Sequence, residues 1–336
     1  MRIITCTSYY GTGSSAITDI LGEFSECTYL GNYEFRFVQD PNGLMDLKYN
    51  IIDNPHRHNT SNAIKNYIKF AKLLSGNFFR KGYSRYMGDE FWNATMDYVN
   101  EITQLKSDSW WHYDRINRGE LFYMIDTLYY KFMKVIDPSS ELSLLMLTHE
   151  KGYFTSIDKE EFMTCTRDYI NRVINAANKA NKEFVMVDQL LPPTNLNNYL
   201  DFFSDIKVFV VDRDPRDLFI REKVRKGGVV PSKDVKEFCQ WFKITRARRK
   251  YEEYNPDKIM VINFEDLIYE YEDSVKKIAE FAGVNMCMHK NPRTKFIPEK
   301  SIRNSNLIMQ YPEFAEQVRY IEKELQEYLY PFEKYK

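Results

Sequence analysis

The first twenty-two residues constrain this chain more than any other stretch. Ile3-Ile4-Thr5-Cys6-Thr7 is a short, β-branched apolar run, and the turn residues Ser8 to Gly13 follow at once. From Ser14 the apolar pairs Ala16-Ile17 and Ile20-Leu21 recur at helical spacing, and Gly22 stands where such a helix would stop. A buried strand, a glycine-bearing turn and a helix open a βαβ unit. The pattern returns in the second half of the chain. Residues 184–188, 207–212 and 259–262 read as strands, and helical patterns lie near 160–182, 215–224, 235–254 and 273–282. A last helix is expected over 312–329, and a short alternating stretch at Glu34-Phe35-Arg36-Phe37 predicts another strand or extended segment. Strands alternating with helices predict an α/β fold of three layers around a central parallel sheet.

Between these regions the texture changes. Residues 64–74, 91–102 and 121–135 read as helices with aromatic faces, and the polar stretch 106–118 between them holds Trp110 and Trp111. This predicts a helical insertion at about 60–150 within a single domain spanning 1–336, with a separate subdomain as the alternative. With 336 residues, 47 Lys+Arg and 48 Asp+Glu, the net charge is −1. No global basic field points to nucleic acid, so an anion site must be built locally. The opening residues are too soon interrupted to form a signal peptide's apolar region. No run of eighteen apolar residues predicts a membrane span. Five scattered cysteines without a CxxC pair fit reduced thiols in a cytoplasmic protein better than disulfides or a zinc site. Tyr 25 and Phe 23 are many for this length, which predicts rings in recognition as well as in the core.

Two segments carry the chemistry. The first is Ser8-Tyr9-Tyr10-Gly11-Thr12-Gly13-Ser14-Ser15. Glycines let backbone amides approach an anion at a helix start, and the hydroxyls of Thr12, Ser14 and Ser15 can add donors. It is neither GxxxxGK[ST], since Ser14 stands where Lys is needed, nor GxGxxG, since Ala16 follows. An ordinary βα turn is the bland alternative. The second is Val208-Phe209-Val210-Val211-Asp212-Arg213-Asp214-Pro215-Arg216-Asp217, an apolar strand ending in arginine. Asp214 is the expected N-cap, with Pro215 at the first helical position. Arg213 would then lie at the carboxyl edge of the sheet, with a fork suited to phosphate. Pairing with Asp212 or Asp217 as a helix-start salt bridge is the competing reading.

These two segments, in this order, resemble the PAPS-dependent sulfotransferase family, where PAPS is 3′-phosphoadenosine-5′-phosphosulfate. Residues 258–267, ending Asn263-Phe264-Glu265-Asp266-Leu267, resemble the family's strand before "E-D-L", followed by a helix closing on Phe281-Ala282-Gly283-Val284. Phe296-Ile297-Pro298-Glu299-Lys300-Ser301-Ile302-Arg303-Asn304 resembles its late basic loop. The resemblance implies a P-loop-like fold and PAPS as co-substrate, with no metal required. It places the 5′-phosphosulfate on Tyr10, Gly11, Thr12, Gly13, Ser14 and Ser15. Arg213 takes the 3′-phosphate, and Lys300, Ser301 and Arg303 close over the nucleotide. Two positions depart from the family pattern. Gly11 stands where the family carries a loop Lys or Arg, and Arg221 stands where it has a serine against the 3′-phosphate. Arg221 can replace that contact; Arg36, Lys48, His56 and His58 are candidates for the missing cation.

The acceptor hydroxyl needs a general base. Glu34-Phe35-Arg36-Phe37 looks similar to the base segment of heparan-type carbohydrate sulfotransferases, which makes Glu34 the expected base and Arg36 its positioning partner. A strand-face ion pair between the two is the alternative, and His56 and His58 offer a histidine route. Trp110 and Trp111 are candidates for stacking on sugar rings, with packing inside the insertion as the alternative. Together these features predict a saccharide acceptor alongside the nucleotide donor. The rivals are an ATP-dependent kinase on a related P-loop fold and a non-catalytic nucleotide or sulfated-glycan binding protein.

Overall fold

The computed structural model describes residues 1–77, 79–109, 111–138 and 151–335. They divide into two compact units, the first made of residues 1–40, 86–88 and 170–336, the second of residues 41–85 and 89–169. The strands, in chain order, are β1 (Arg2–Ser8), β2 (Cys27–Glu34), β3 (Leu105–Asp108), β4 (Lys151–Phe154), β5 (Phe184–Asp188), β6 (Ile206–Asp212) and β7 (Ile259–Asn263).

In the first unit five strands form one sheet in the order β2-β5-β1-β6-β7, every pair parallel. The chain fills one side of β1 with β2 and β5, then crosses to β6 and β7 on the other. The carboxyl ends of β5, β1 and β6 flank that reversal, the place where open α/β sheets bind ligands. Ile4 and Cys6, Phe184 and Met186, and Phe209 and Val211 join one cluster with Ile17 and Ile20 of the Ser15–Leu21 helix and Ile278 of the Tyr271–Ala282 helix. Ile3, Val185, Val187, Val208 and Val210 point to the opposite face and are buried too. Strand alternation therefore shows a sheet covered on both faces, the expected three layers.

Some boundaries differ from the sequence reading. β2 begins well before the expected extended segment and ends at Glu34, where Phe35, Phe37 and Val38 leave the sheet buried. Gly31, at φ 71°, and a register shift between Tyr29 and Glu34 hide its alternation. The helix expected over 235–254 stops at Arg246, and Arg249 beyond it pairs with Asp212. The last helix is Ala315–Glu324, with 3₁₀ turns on either side.

The second unit holds the Arg57–Ser75, Glu90–Glu101 and Glu120–Ile136 helices that the sequence predicts. A buried tyrosine cluster ties part of it together. Tyr67 Oη donates to Tyr169 Oη (2.9 Å), and Tyr98 stacks on Tyr169 with ring centroids 4.7 Å apart. The polar stretch 106–118 contains most of β3, paired antiparallel with β4. All four residues of β3 are exposed, so no apolar alternation marks it. Trp110 lies outside the described residues. No described helix is long and apolar enough to cross a membrane.

One buried carboxylate organises the late segment of the first unit. Glu23 accepts from the amides of Lys295 (2.9 Å) and Phe296 (3.1 Å) and from Tyr271 Oη (3.3 Å), and lies 2.8 Å from His289 Nε2. Glu23→Ala strands these groups, and urea denaturation is expected to show a loss of about 3 kcal/mol or more. A change within experimental error would show that the segment is held elsewhere.

Candidate functional site

The site begins where β1 ends. Tyr10 (φ 63°), Gly11 (φ 69°) and Gly13 (φ 96°) take left-handed backbone conformations. Glycine is required at 13 for a second reason: a Cβ there would lie 2.6 Å from the Phe264 ring. The first helical amides to bond inward are those of Ala16, to Gly13 O, and Ile17, to Ser14 O, both at 3.0 Å. The amides of Gly13, Ser14 and Ser15 precede them at the helix start, where anions are favoured. The Thr12 hydroxyl, expected among the anion donors, donates instead to Val211 O (2.6 Å) in the buried interior. Ser14 Oγ accepts from Gln189 Nε2 (2.8 Å), which also reaches Ser8 Oγ (3.0 Å).

Two arginines close on this loop. Arg213 Nη1 donates to Gly11 O (3.2 Å), and Arg221 Nη1 donates to the same oxygen (2.7 Å). Arg213 is 3 % exposed, its Nη2 donates to Asn304 O, and its buried Nε has no hydrogen-bond partner among the described residues. The salt-bridge reading of Arg213 does not hold, because its hydrogen bonds go to carbonyls. Asp212 pairs with Arg249, and Asp217 accepts from the amides of Asn306 (2.8 Å) and Leu307 (2.7 Å). Burial pushes Arg213 down, with Asp217 and Glu265 opposing it. Burial, then the charges of Arg213 and Arg225, push Arg221 down to about 10. Two like charges crowded on one carbonyl, with the buried Arg213 Nε unbonded among the described residues, make this a place where an anion can be held.

The carboxylates around them are also perturbed. Asp214 caps the Pro215–Arg225 helix by accepting from Arg216 N (2.8 Å) and pairs with the Arg216 guanidinium (2.7 Å). Glu265 accepts from Asp214 N (3.0 Å), and burial, then Asp214, pushes it up to about 8. Asp217 rises to about 6, again through burial and then Asp214.

A cavity of about 620 Å³ opens on the loop. Tyr10, Gly11, Gly13, Ser14, Ser15, Glu34, Arg36 and Arg221, all singled out from the sequence, line it. Arg36 pairs with Glu34 (3.5 Å) and Asp40 (2.8 Å), so the ion pair and the cavity position are one arrangement. Asn32, Gln39, Asp188, Gln189 and Glu222 also face this space and were missed in the sequence. The one signal for Asp188 was that an apolar strand ends in it, as another ends before Arg213.

Other expected residues lie elsewhere. Lys300 and Arg303 are exposed, and none of Lys300, Ser301 and Arg303 lines the cavity; from their segment it is the Asn304 carbonyl that meets Arg213. His56, His58, Lys48 and Trp111 belong to the second unit. There His56 lines a separate cavity, His58 stacks on Trp111 at 3.5 Å, and Lys48 pairs with Asp53. Among the described residues no group of three His, Cys, Asp or Glu is placed to hold a metal.

A family profile described as "Sulfotransferase domain" matches residues 120–306, more than half of the chain. No curated protein sequence matches it. Among solved structures, the chain is similar to a sulfotransferase domain of the curacin biosynthetic pathway. Identity is 13 %, coverage 85 % of this chain and 74 % of that one, and the TM-score 0.36. A sulfotransferase from Mycobacterium tuberculosis gives 11 % identity, 91 % and 76 % coverage and a TM-score of 0.35. A retinol dehydratase, in complex with androsterone and the inactive cofactor PAP, gives 13 %, 98 %, 82 % and 0.34.

The raised carboxyls predict a pH signature. A carboxyl whose folded pKa exceeds its unfolded value binds more protons when folded, so stability falls as pH rises between the two values. Asp188 and Asp217, both at about 6, make stability fall from about pH 4 to 6, and Glu265 extends the fall to about pH 8. Urea denaturation across this range is expected to show that slope, shallower below pH 6 in Asp217→Asn. A rise in stability over the same interval would contradict the burial of these groups.

Proposed function

This chain belongs to the sulfotransferase family, and we propose that it moves the sulfuryl group of PAPS to a hydroxyl of a saccharide acceptor. The observation that carries the acceptor reading is the wall of Asn32, Glu34, Gln39, Asp188 and Gln189 along the cavity. Amide and carboxylate residues gathered around one cavity suit the many hydroxyls of a sugar better than an apolar ring system. The half-buried Pro192 and Pro193 add apolar surface for a sugar face.

The donor brings the sulfuryl group and a bisphosphate leaving group. Arg213 and Arg221 hold its phosphates, and the amides of Gly13 to Ser15 face the phosphosulfate end. Lys300, Ser301 and Arg303 stay candidates for closing over the nucleotide, and His56 stays the alternative base. Glu34 takes the proton of the acceptor hydroxyl as that oxygen bonds to sulfur and the sulfur–oxygen bond to the 5′-phosphate breaks. Arg36, paired with Glu34, keeps the carboxylate turned toward the acceptor and supplies positive charge that Gly11 cannot. Preorganised cations of this kind stabilise charge on the transferring and leaving groups.

Arg213→Ala is expected to weaken binding of 3′,5′-adenosine bisphosphate by about 2 kcal/mol or more, read as a lost ligand-induced rise in melting temperature. Unchanged affinity would remove Arg213 from the phosphate site. Glu34→Gln is expected to keep that rise and lose transfer to saccharide acceptors; retained turnover would move the base to His56 or His58.

A further inference from the structure

Glu34 does not face the cavity as a lone carboxylate. In the register of the parallel pair β2–β5 its partner is Asp188, and the Phe35 amide donates to Asp188 O (2.9 Å). Both residues line the same cavity, but their side chains sit in different media. The Glu34 side chain is 54 % exposed and shares Arg36 with Asp40; Asp188 is 4 % exposed. From β1, Cys6 Sγ donates to Asp188 Oδ1 (2.9 Å), and the thiol itself lies 3.3 Å from Thr18 Oγ1. Asp19 faces Asp188 from the Ser15–Leu21 helix, Glu34 faces it from β2, and the Gln189 amide lies at its own strand end. The two charged groups that face Asp188, Glu34 and Asp19, are both carboxylates. The cavity's cations, Arg36 and Arg221, are engaged with Glu34 and Asp40 and with Gly11 O respectively.

We propose that Asp188 is a positioning residue for proton removal, forming with Glu34 a two-carboxylate unit that receives the acceptor's proton. This rests on the reading of Glu34 as the base. When the acceptor O–H bond breaks and its proton reaches Glu34, one of two adjacent negative charges is cancelled. The relief of that repulsion favours the transfer. Burial first, and then the charges of Glu34 and Asp19 against the opposing thiol hydrogen bond, raise Asp188 to about 6. Burial and Asp188 in turn keep the Cys6 thiol protonated, so it remains a donor. Cys6 is fully buried beneath the site, which makes it a handle on Asp188 that touches no substrate.

The experiment compares pH–rate profiles of sulfuryl transfer for the wild type, Asp188→Asn and Cys6→Ala, with bisphosphate-induced melting shifts as control. Asp188→Asn is expected to keep the melting shift, lower kcat by about tenfold or more and move the acid limb to lower pH. Cys6→Ala removes the thiol that stabilises ionised Asp188, so its acid limb moves to higher pH. A merely structural Asp188 would change melting temperatures and leave both limbs in place, and that result, or displacement of both limbs in one direction, overturns the proposal. An acceptor-free measurement separates it from the reading of the base. In protein labelled at the Asp and Glu carboxyl carbons, the Asp188 step is expected at lower pH in Glu34→Gln than in the wild type. An unmoved step ends the coupling; a moved step without transfer to any saccharide supports the coupling and sinks the acceptor assignment. If Asp188→Asn does not fold, Cys6→Ala and Glu34→Gln decide between the same outcomes.

Discussion

Two guanidinium groups meet at the carbonyl oxygen of Gly11, and much of the first unit serves that meeting. Arg213 arrives from the carboxyl end of β6 and Arg221 from two turns into the helix that follows. Among the described residues neither is neutralised by a hydrogen-bonded carboxylate, and both are pushed down by burial. Desolvated like charges are held apart from water only where the surrounding structure over-determines them. Here the backbone does so. Gly11 presents its carbonyl because the Tyr10–Gly11 pair is left-handed, and Gly13 lets the loop lie against the Phe264 ring. The same ring lies 4.9 Å beneath the Arg213 guanidinium. In the proposed function a bisphosphate supplies the charge this arrangement lacks.

The acidic groups around Arg213 and Arg221 are used as scaffold and not as counter-ions to those two. Asp214 caps a helix, holds Arg216 and accepts from the Tyr330 amide (2.8 Å). Asp217 holds the amides of Asn306 and Leu307, which brings the late segment, and Asn304 O with it, against Arg213. Glu265 accepts from Asp214 N. Directing these carboxylates onto backbone amides and Arg216 leaves Arg213 and Arg221 without a hydrogen-bonded counter-ion among the described residues. The raised carboxyls at Glu265 and Asp217 are the energetic trace of that choice, since three acids share one dry region.

The opposite side of the loop reverses the charge. Glu34, Asp188 and Glu222 line one cavity with Arg36 and Arg221, so cationic and anionic groups face one space. A transfer reaction needs both: positive groups where charge leaves with the phosphate, and a basic carboxylate where a proton must be removed. The sheet supplies this separation by topology. β1 ends in the loop, its neighbour β5 ends in a carboxylate and its neighbour β6 leads into an arginine.

The sequence alone determined the local pieces: the strand, turn and helix at the start, the cap at Asp214, and the strand that leads to Arg213. These depend on periodicity, glycine and capping chemistry within a few residues, which is what a linear reading can see. Its misses have the same origin. β3 is four exposed residues with no apolar alternation, and β2 is broken by Gly31. What only the tertiary structure decided is which of these pieces meet. Arg213 and Arg221 reach Gly11 across 202 and 210 residues, and Cys6 reaches Asp188 across 182. That meeting turned Thr12 inward, gave Asp217 to the late segment in place of Arg213 and set Asp188 beside Glu34. Burial and the sum of nearby charges are properties of the packed neighbourhood, so the groups whose protonation matters most are the ones a sequence cannot single out.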